Sequence, residues 1–352
     1  MKCQYFTLYI IENNRELFCY DMSIHISPGS MSHLVVATNK PLHARVTISE
    51  EEIADLVHSF DAKAVVQSVA PLPHGFNNKI SLVTTDTNKY VVKISVAEDK
   101  FKKLAVEADI LEKLAAQTDL PVPKVLHSDF SQTTFAFPFA IYSYVSGENL
   151  VDCIEQVADK KVIGQELARA VAAIHSIHYP AAYFSLSSDK PDASWQAALR
   201  KKYDEAWPYF AQSGLPFVDT VRQELETGFA NLKEPTSYTL IHRDLQPQNF
   251  HWDLTTNKLV GLFDFETAMS GDFLYEFSLL ERNLFRLYPE IKESFYQTYS
   301  DISPLPENYP QQIAFYLLNQ LVYFYMRSVQ KSEDDRLAHL ATEIEALSKT
   351  LS

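Results

Sequence analysis

Ile241-His242-Arg243-Asp244-Leu245-Gln246-Pro247-Gln248-Asn249-Phe250 is followed by the apolar run Val260-Gly261-Leu262-Phe263 and then by Asp264-Phe265-Glu266. Each acid comes after an apolar, β-rich segment, so the pattern predicts both at strand ends, where a rigid sheet can aim them. Two carboxylates and an amide in this order suit phosphoryl transfer. One carboxylate orients the attacking hydroxyl and accepts its proton, while the other oxygens hold Mg²⁺ against the phosphates. Asp244 fits the first role, and Asn249 with Asp264 the second. Asn249 lies five residues after Asp244, the spacing of an Asp-x-x-x-x-Asn catalytic loop. Asp and Asn are also ordinary turn residues, so the weight rests on further motifs in the same order.

Upstream, Asp86-Thr87-Asn88 is a hairpin turn signal, and Tyr90-Val91-Val92-Lys93-Ile94 is a β-branched strand. A kinase places one cation on such a strand, bound to the α and β phosphates and steadied by a carboxylate from the next helix. Residues 101–117 carry Leu104, Ala108, Leu111 and Ala115 near one face, which predicts an amphipathic helix with Glu107 as the partner of Lys93. A solvated Lys93 and a surface Glu107 are the alternative for either residue alone. Between two expected strands, Pro73-His74-Gly75-Phe76-Asn77-Asn78-Lys79 would cover the triphosphate. It has one glycine where a protein kinase has three, Gly75 allowing close backbone approach and Asn78 or Asn77 bracing the turn.

These residues resemble the aminoglycoside phosphotransferase and choline kinase superfamily more closely than the protein kinases. The resemblance covers about residues 48–330. It takes in a capping box of Ser49 and Glu52, Gly75-Phe76-Asn77-Asn78, Lys93, Glu107, Leu120-Pro121-Val122-Pro123-Lys124-Val125, Gly147, the helix 167–175, both catalytic motifs and Ser270-Gly271-Asp272. It implies an α+β, two-lobed protein-kinase-like fold: an N-lobe with an antiparallel β-sheet and a helix, and a mainly helical C-lobe. The expected division is an N-terminal extension over 1–44, an N-lobe over 45–146 and a C-lobe over 147–352. The apolar strand 135–145 is then the hinge, where backbone groups from Ser143 to Val145 would grip adenine. The segment after Asp264 would form the acceptor pocket, with Glu266, Asp272, Glu276 and Glu281 among its carboxylates. Asp272 reads sooner as a helix N-cap after Gly271 than as a substrate contact, and the aromatics Phe273, Tyr275, Phe277 and Phe285 sooner as core than as a cage.

Two departures stand out. The family usually has a small residue where this chain has Arg243, as protein kinases do. Asp272 follows Asp264 after only seven residues, which leaves no room for an activation loop, so Arg243 is expected to make a local ion pair with Asp272 or Glu276. Glu266 stands where protein kinases carry the glycine of Asp-Phe-Gly, in keeping with the small-molecule branch.

The 352 residues, 46% of them hydrophobic, suffice for two lobes with a real core. Cys3, Cys19 and Cys153 lack any Cys-x-x-Cys spacing, which argues against a disulfide framework or zinc site and points to a cytoplasmic protein. His175 and His242 are expected in structural hydrogen bonds. With 31 Lys and Arg against 45 Asp and Glu, the formal charge is −14, which disfavours nucleic acid and would concentrate a cationic substrate. The stretch 313–326 is interrupted by Asn319 and Gln320 and reads as a buried helix rather than a membrane span. No signal peptide is expected, and Met31 is an alternative start.

The expected activity is thus transfer of the γ-phosphate of ATP, with Mg²⁺, to a hydroxyl of a small acceptor. An amine-bearing acceptor (aminoglycoside-like or an amino alcohol) and a neutral one (a sugar or homoserine-like metabolite) both stay open. A non-catalytic nucleotide-binding protein on the same fold is the alternative from another class. Such proteins usually lack one of the residues matching Lys93, Asp244, Asn249 or Asp264, and this chain has all four.

Overall fold

The computed structural model describes residues 6–12, 15–22, 46–72 and 78–351. Its contacts divide the chain into two compact units, Met1–Ala108 with Lys124–Tyr144, and Asp109–Pro123 with Val145–Ser352. The segment 109–123, placed in the N-lobe by the sequence, thus groups with the second unit.

In the first unit, β1 (Phe6–Glu12) and β2 (Arg15–Met22) form an antiparallel pair. Helix α1 (Glu50–Phe60) opens with the predicted capping box: the Ser49 side chain accepts the Glu52 N–H, and the Glu52 carboxylate accepts the Ser49 N–H. β3 (Val66–Pro71), β4 (Asn78–Thr85), β5 (Lys89–Ser95), β6 (Val125–Asp129) and β7 (Phe139–Ser143) make an antiparallel sheet in the order β3-β4-β5-β7-β6. The Asp86–Asn88 turn joins β4 to β5, with Thr85 Oγ1 accepting the Asn88 N–H at 2.9 Å. Ile53, Leu56 and Val57 of α1 join Val83, Val92, Ile94 and Ile141 in one apolar cluster, so burial of a single helix stripe holds the sheet. The strand expected over 135–145 is shorter, because Pro138 has no N–H to give a ladder; its carbonyl accepts the Ser95 N–H at 3.0 Å, and β7 starts one residue later. Helix α2 runs Phe101–Gln117, over the residues predicted. Gly75 and Asn77 lie outside the described residues, as does Met31.

The second unit is mainly helical and includes the short α3 (Leu150–Cys153) and α6 (Val218–Asn231). α4 (Lys161–His175) packs on α8 (Pro289–Ile302), and α5 (Trp195–Ala211) on α9 (Tyr309–Lys331). Gly164 permits the first contact, because a Cβ there would strike Ser294 and the Ile291 carbonyl. Asn319 and Gln320 are buried in α9 as the sequence suggested, Gln320 Nε2 donating to Ser278 Oγ at 2.6 Å. Short strands build the site: β9 (His178–Tyr179), β10 (Tyr238–Ile241) and β13 (Met269–Gly271) form one sheet with β10 central, and β8 (Glu148–Asn149), β11 (Phe250–Asp253) and β12 (Lys258–Leu262) another with β11 central. α7 (Leu274–Leu280) follows β13. The fold is α+β, with an antiparallel sheet in the first unit and a helical second unit. No helix among the described residues is long and apolar enough to cross a membrane.

Candidate active site

β10 ends at Ile241 and delivers the loop that carries Asp244. Gln246 Nε2 donates to Asp244 Oδ1, and Asn249 Nδ2 donates to Asp244 Oδ2 at 3.3 Å and to its carbonyl at 2.7 Å. The side chain is therefore oriented by two amides. With its nitrogen turned to Asp244, the Asn249 amide presents its oxygen the other way. The Asn249 carbonyl in turn accepts the Phe263 N–H at 3.0 Å, next to Asp264.

His242 ties the two loops together. Its Nδ1 accepts the Asp244 N–H at 3.1 Å, which leaves Nε2 as the protonated nitrogen that donates to the Phe263 carbonyl at 2.8 Å. Burial holds its pKa below the ordinary histidine value, opposed by the field of Asp244, so the neutral tautomer required by these bonds is also the favoured one. This is the structural role expected. His175 is likewise buried, its Nδ1 2.8 Å from the Tyr299 hydroxyl and its pKa pushed down to about 3 by burial.

Two residues of the site hold a left-handed backbone, Arg243 at φ +69° and Asp264 at φ +68°. For side chains larger than glycine this costs about 1–3 kcal/mol each and needs support from the surroundings. For Arg243 the support is Glu276, which is fully buried and accepts the N–H groups of His242 at 2.5 Å and Arg243 at 2.9 Å, one on each oxygen. Burial pushes its pKa up to about 8, with the two N–H groups acting in the opposite sense. Glu276 is among the residues expected in the acceptor pocket; here both its oxygens accept backbone N–H groups and support the loop that carries Asp244.

The other acceptor-pocket residues divide similarly. Asp272 is buried, with Oδ1 on the Leu274 N–H at 3.0 Å and Oδ2 on the Tyr316 hydroxyl at 2.7 Å and the Gln312 amide at 2.5 Å. It thus accepts the first N–H of α7 from the residue before the N-cap, and burial raises its pKa. Glu281 accepts from Lys292 at 2.8 Å and Tyr296 at 2.7 Å. Glu266, in the turn directly after Asp264, remains partly exposed. The expected ion pair of Arg243 is absent among the described residues; its guanidinium lies over the Phe184 ring, 4.6 Å from the centroid. Phe277 and Phe285 are core, as is Tyr275.

In the first unit, Lys93 and Glu107 form the predicted pair. Nζ lies 3.1 and 2.8 Å from the two carboxylate oxygens, both residues are buried, and the Tyr142 hydroxyl donates to Glu107 at 3.4 Å. Asn78 starts β4, opposite Ser95. Ser143 ends β7 with its N–H on the Lys124 carbonyl at 2.9 Å, so that donor is already used. Val145 belongs to the second unit, against the Gly261 backbone.

Residues 68–311 match the model of the phosphotransferase enzyme family. The chain belongs to this family. It is a small-molecule phosphotransferase, a kinase whose acceptor group is a hydroxyl. No curated protein sequence matches it significantly. Among solved structures it is similar to a GDP complex of a mutant of aminoglycoside 2'-phosphotransferase-IIIa (18% identity, TM-score 0.63, covering 86% of this chain and 98% of that one). A thermostable mutant of aminoglycoside phosphotransferase APH(4)-Ia with ADP and hygromycin B is comparable (19%, TM-score 0.63, 84% and 97%). So is a protein from Haemophilus somnus assigned as a fructosamine-3-kinase (19%, TM-score 0.60, 85% and 96%). At these identities the likeness is one of fold.

Gln246 and Phe184 carry no role in the sequence analysis, and Glu276 stands there as an acceptor carboxylate or a partner of the Arg243 side chain rather than as the acceptor of two backbone N–H groups. Gln246 lies inside the motif and carried a signal, since an amide two residues from a base can reach its carboxylate. The roles of Glu276 and Phe184 depend on tertiary packing.

Proposed function

We propose that this phosphotransferase moves the γ-phosphoryl group of ATP to a hydroxyl of a small acceptor, using Mg²⁺. The observation that carries it is the loop in which Asp244 is fixed by Gln246 and Asn249 while His242 bridges to the residue before Asp264. Asp244 takes the hydroxyl proton, the hydroxyl oxygen bonds to the γ-phosphorus, and the bond to the β–γ bridging oxygen breaks to leave ADP. Asn249, through its amide oxygen, and Asp264 form a hard-oxygen donor pair suited to Mg²⁺. The bound ion would neutralise phosphate charge. Lys93, steadied by Glu107, is assigned to the α and β phosphates, and Gly75, Asn78 and backbone groups near Ser143 and Val145 to the rest of the nucleotide. Relatives solved with GDP and with ADP support a purine nucleotide.

An amine-bearing acceptor is supported by the net charge of −14 and by Glu266, but no longer by Asp272, Glu276 or Glu281. A neutral acceptor is the second reading. We place the activity in the cytoplasm on the scattered cysteines, with no role for nucleic acid or membrane. The test is ADP release across a panel of hydroxyl acceptors beside Asp244→Asn. That variant should lose about 10²-fold or more in kcat with little change in nucleotide affinity. Wild-type turnover in Asp244→Asn would remove the assignment.

A further inference from the structure

Arg243 occupies a backbone position that suits glycine, at φ +69°, yet carries the largest cationic side chain. Its guanidinium shares the Phe184 ring with a second cation: Arg243 lies 4.6 Å from the ring centroid, and Lys202 Nζ 5.7 Å from it and 5.9 Å from the Tyr323 ring. Among the described residues no carboxylate pairs with Arg243, and the nearby acids are occupied, Glu276 by two backbone N–H groups and Asp272 by Leu274, Tyr316 and Gln312. With no carboxylate on it among the described residues, the guanidinium keeps most of its five donors for another partner. Lys202 pairs with Glu205 at 2.7 Å, a partly exposed contact that a ligand could replace at small cost. In a chain with a charge of −14, two cations therefore converge on one aromatic ring beside the proposed base.

We infer that Arg243, with Lys202, receives an oxyanion of the acceptor, a carboxylate or a phosphate, and so places the acceptor hydroxyl at Asp244. The inference rests on the phosphotransfer reading above and names its substrate class. An anionic acceptor would be repelled by the Asp244 carboxylate unless a cation stood next to it, and Arg243 is the adjacent residue. The guanidinium lies against the Phe184 face, and its planar fork of donors suits bidentate contact with an oxyanion.

The test uses the full chain with Mg·ATP and matched acceptors: glycerate against glyceramide, gluconate against glucose, and glycerol phosphate against glycerol. The first two pairs report on a carboxylate and the third on a phosphate. Charge-assisted contacts predict a kcat/KM ratio of acid to neutral twin of about tenfold or more in at least one pair. Arg243→Gln should return that ratio towards one through the KM of the anion, and Arg243→Lys should keep part of it. Lys202→Gln, at a partly exposed helix site, should reduce it by a smaller factor with an unchanged melting temperature, which keeps the test valid if Arg243→Gln misfolds. ADP release that favours neutral or cationic acceptors, or an anion preference that survives both glutamine variants, would overturn this inference alone. No ADP release with any acceptor would overturn the phosphotransfer reading and this inference with it.

Discussion

Glu276 accepts the backbone N–H of Arg243 at 2.9 Å and so holds that residue in a left-handed conformation, φ +69°. The same carboxylate takes the N–H of His242, and the residue it thereby positions is Asp244. Glu276→Ala would leave two buried donors without an acceptor, at about 1–3 kcal/mol each. We expect a lower urea midpoint and, because a shift of about 1 Å in the proposed base would cost on the order of 10²-fold, a larger fall in kcat than in nucleotide affinity. An unchanged kcat in a folded Glu276→Ala would dismiss the positioning role.

Glu276 also predicts how stability follows pH. Its folded pKa, about 8, lies above its ordinary value of 4.5, so the folded state holds a proton that the unfolded chain releases between these values. The contribution is complete below about 4.5 and is lost as the pH rises through about 8, at a rate of at most about 1.4 kcal/mol per pH unit. Urea titrations at about pH 5 and about pH 9 should show this loss in the wild type and a flatter profile in Glu276→Gln, which cannot titrate. Equal slopes for the two proteins would exclude it.

The Lys93–Glu107 pair is buried on both sides. Removing either partner alone strands a charge in the interior and should cost about 3–5 kcal/mol. Replacing both, as Lys93→Met with Glu107→Leu, should cost less than either single change. Chemical denaturation of the three variants checks the order, and additive costs would show that the two side chains act independently.

Nucleotide binding should require the metal. At a hundredfold excess over its Kd, Mg·ATP should stabilise the protein by about 2.7 kcal/mol. The thermal shift should shrink with EDTA and in Asp264→Ala. Equal shifts with and without Mg²⁺ would remove Asn249 and Asp264 from the metal site.

The features legible in the sequence are those set by near neighbours. The Ser49–Glu52 capping box, the 86–88 hairpin and the extent of the helix 101–117 follow from local pattern, and the pairing of Lys93 with Glu107 follows from a strand leading into the next helix. Asp244, Gln246 and Asn249 are brought together within one loop. Glu276 lies 34 residues from the N–H it accepts, and nothing in its local context separates a buried acceptor from a surface charge. The same holds for Asp272 and Glu281, since a sequence gives the number of carboxylates but not the partners that the fold brings to them. Arg243 was expected to seek an acid. It lies instead over Phe184, which arrives from a loop far upstream.

Asn249 divides its amide between two tasks, the nitrogen steering Asp244 and the oxygen turned away from it. Hydrolytic deamidation would exchange that nitrogen for an oxygen, remove a donor and press a second negative charge against Asp244. On the proposed mechanism, that change of one heavy atom, nearly invisible in shape, would turn the guide of Asp244 into a second acid competing with it.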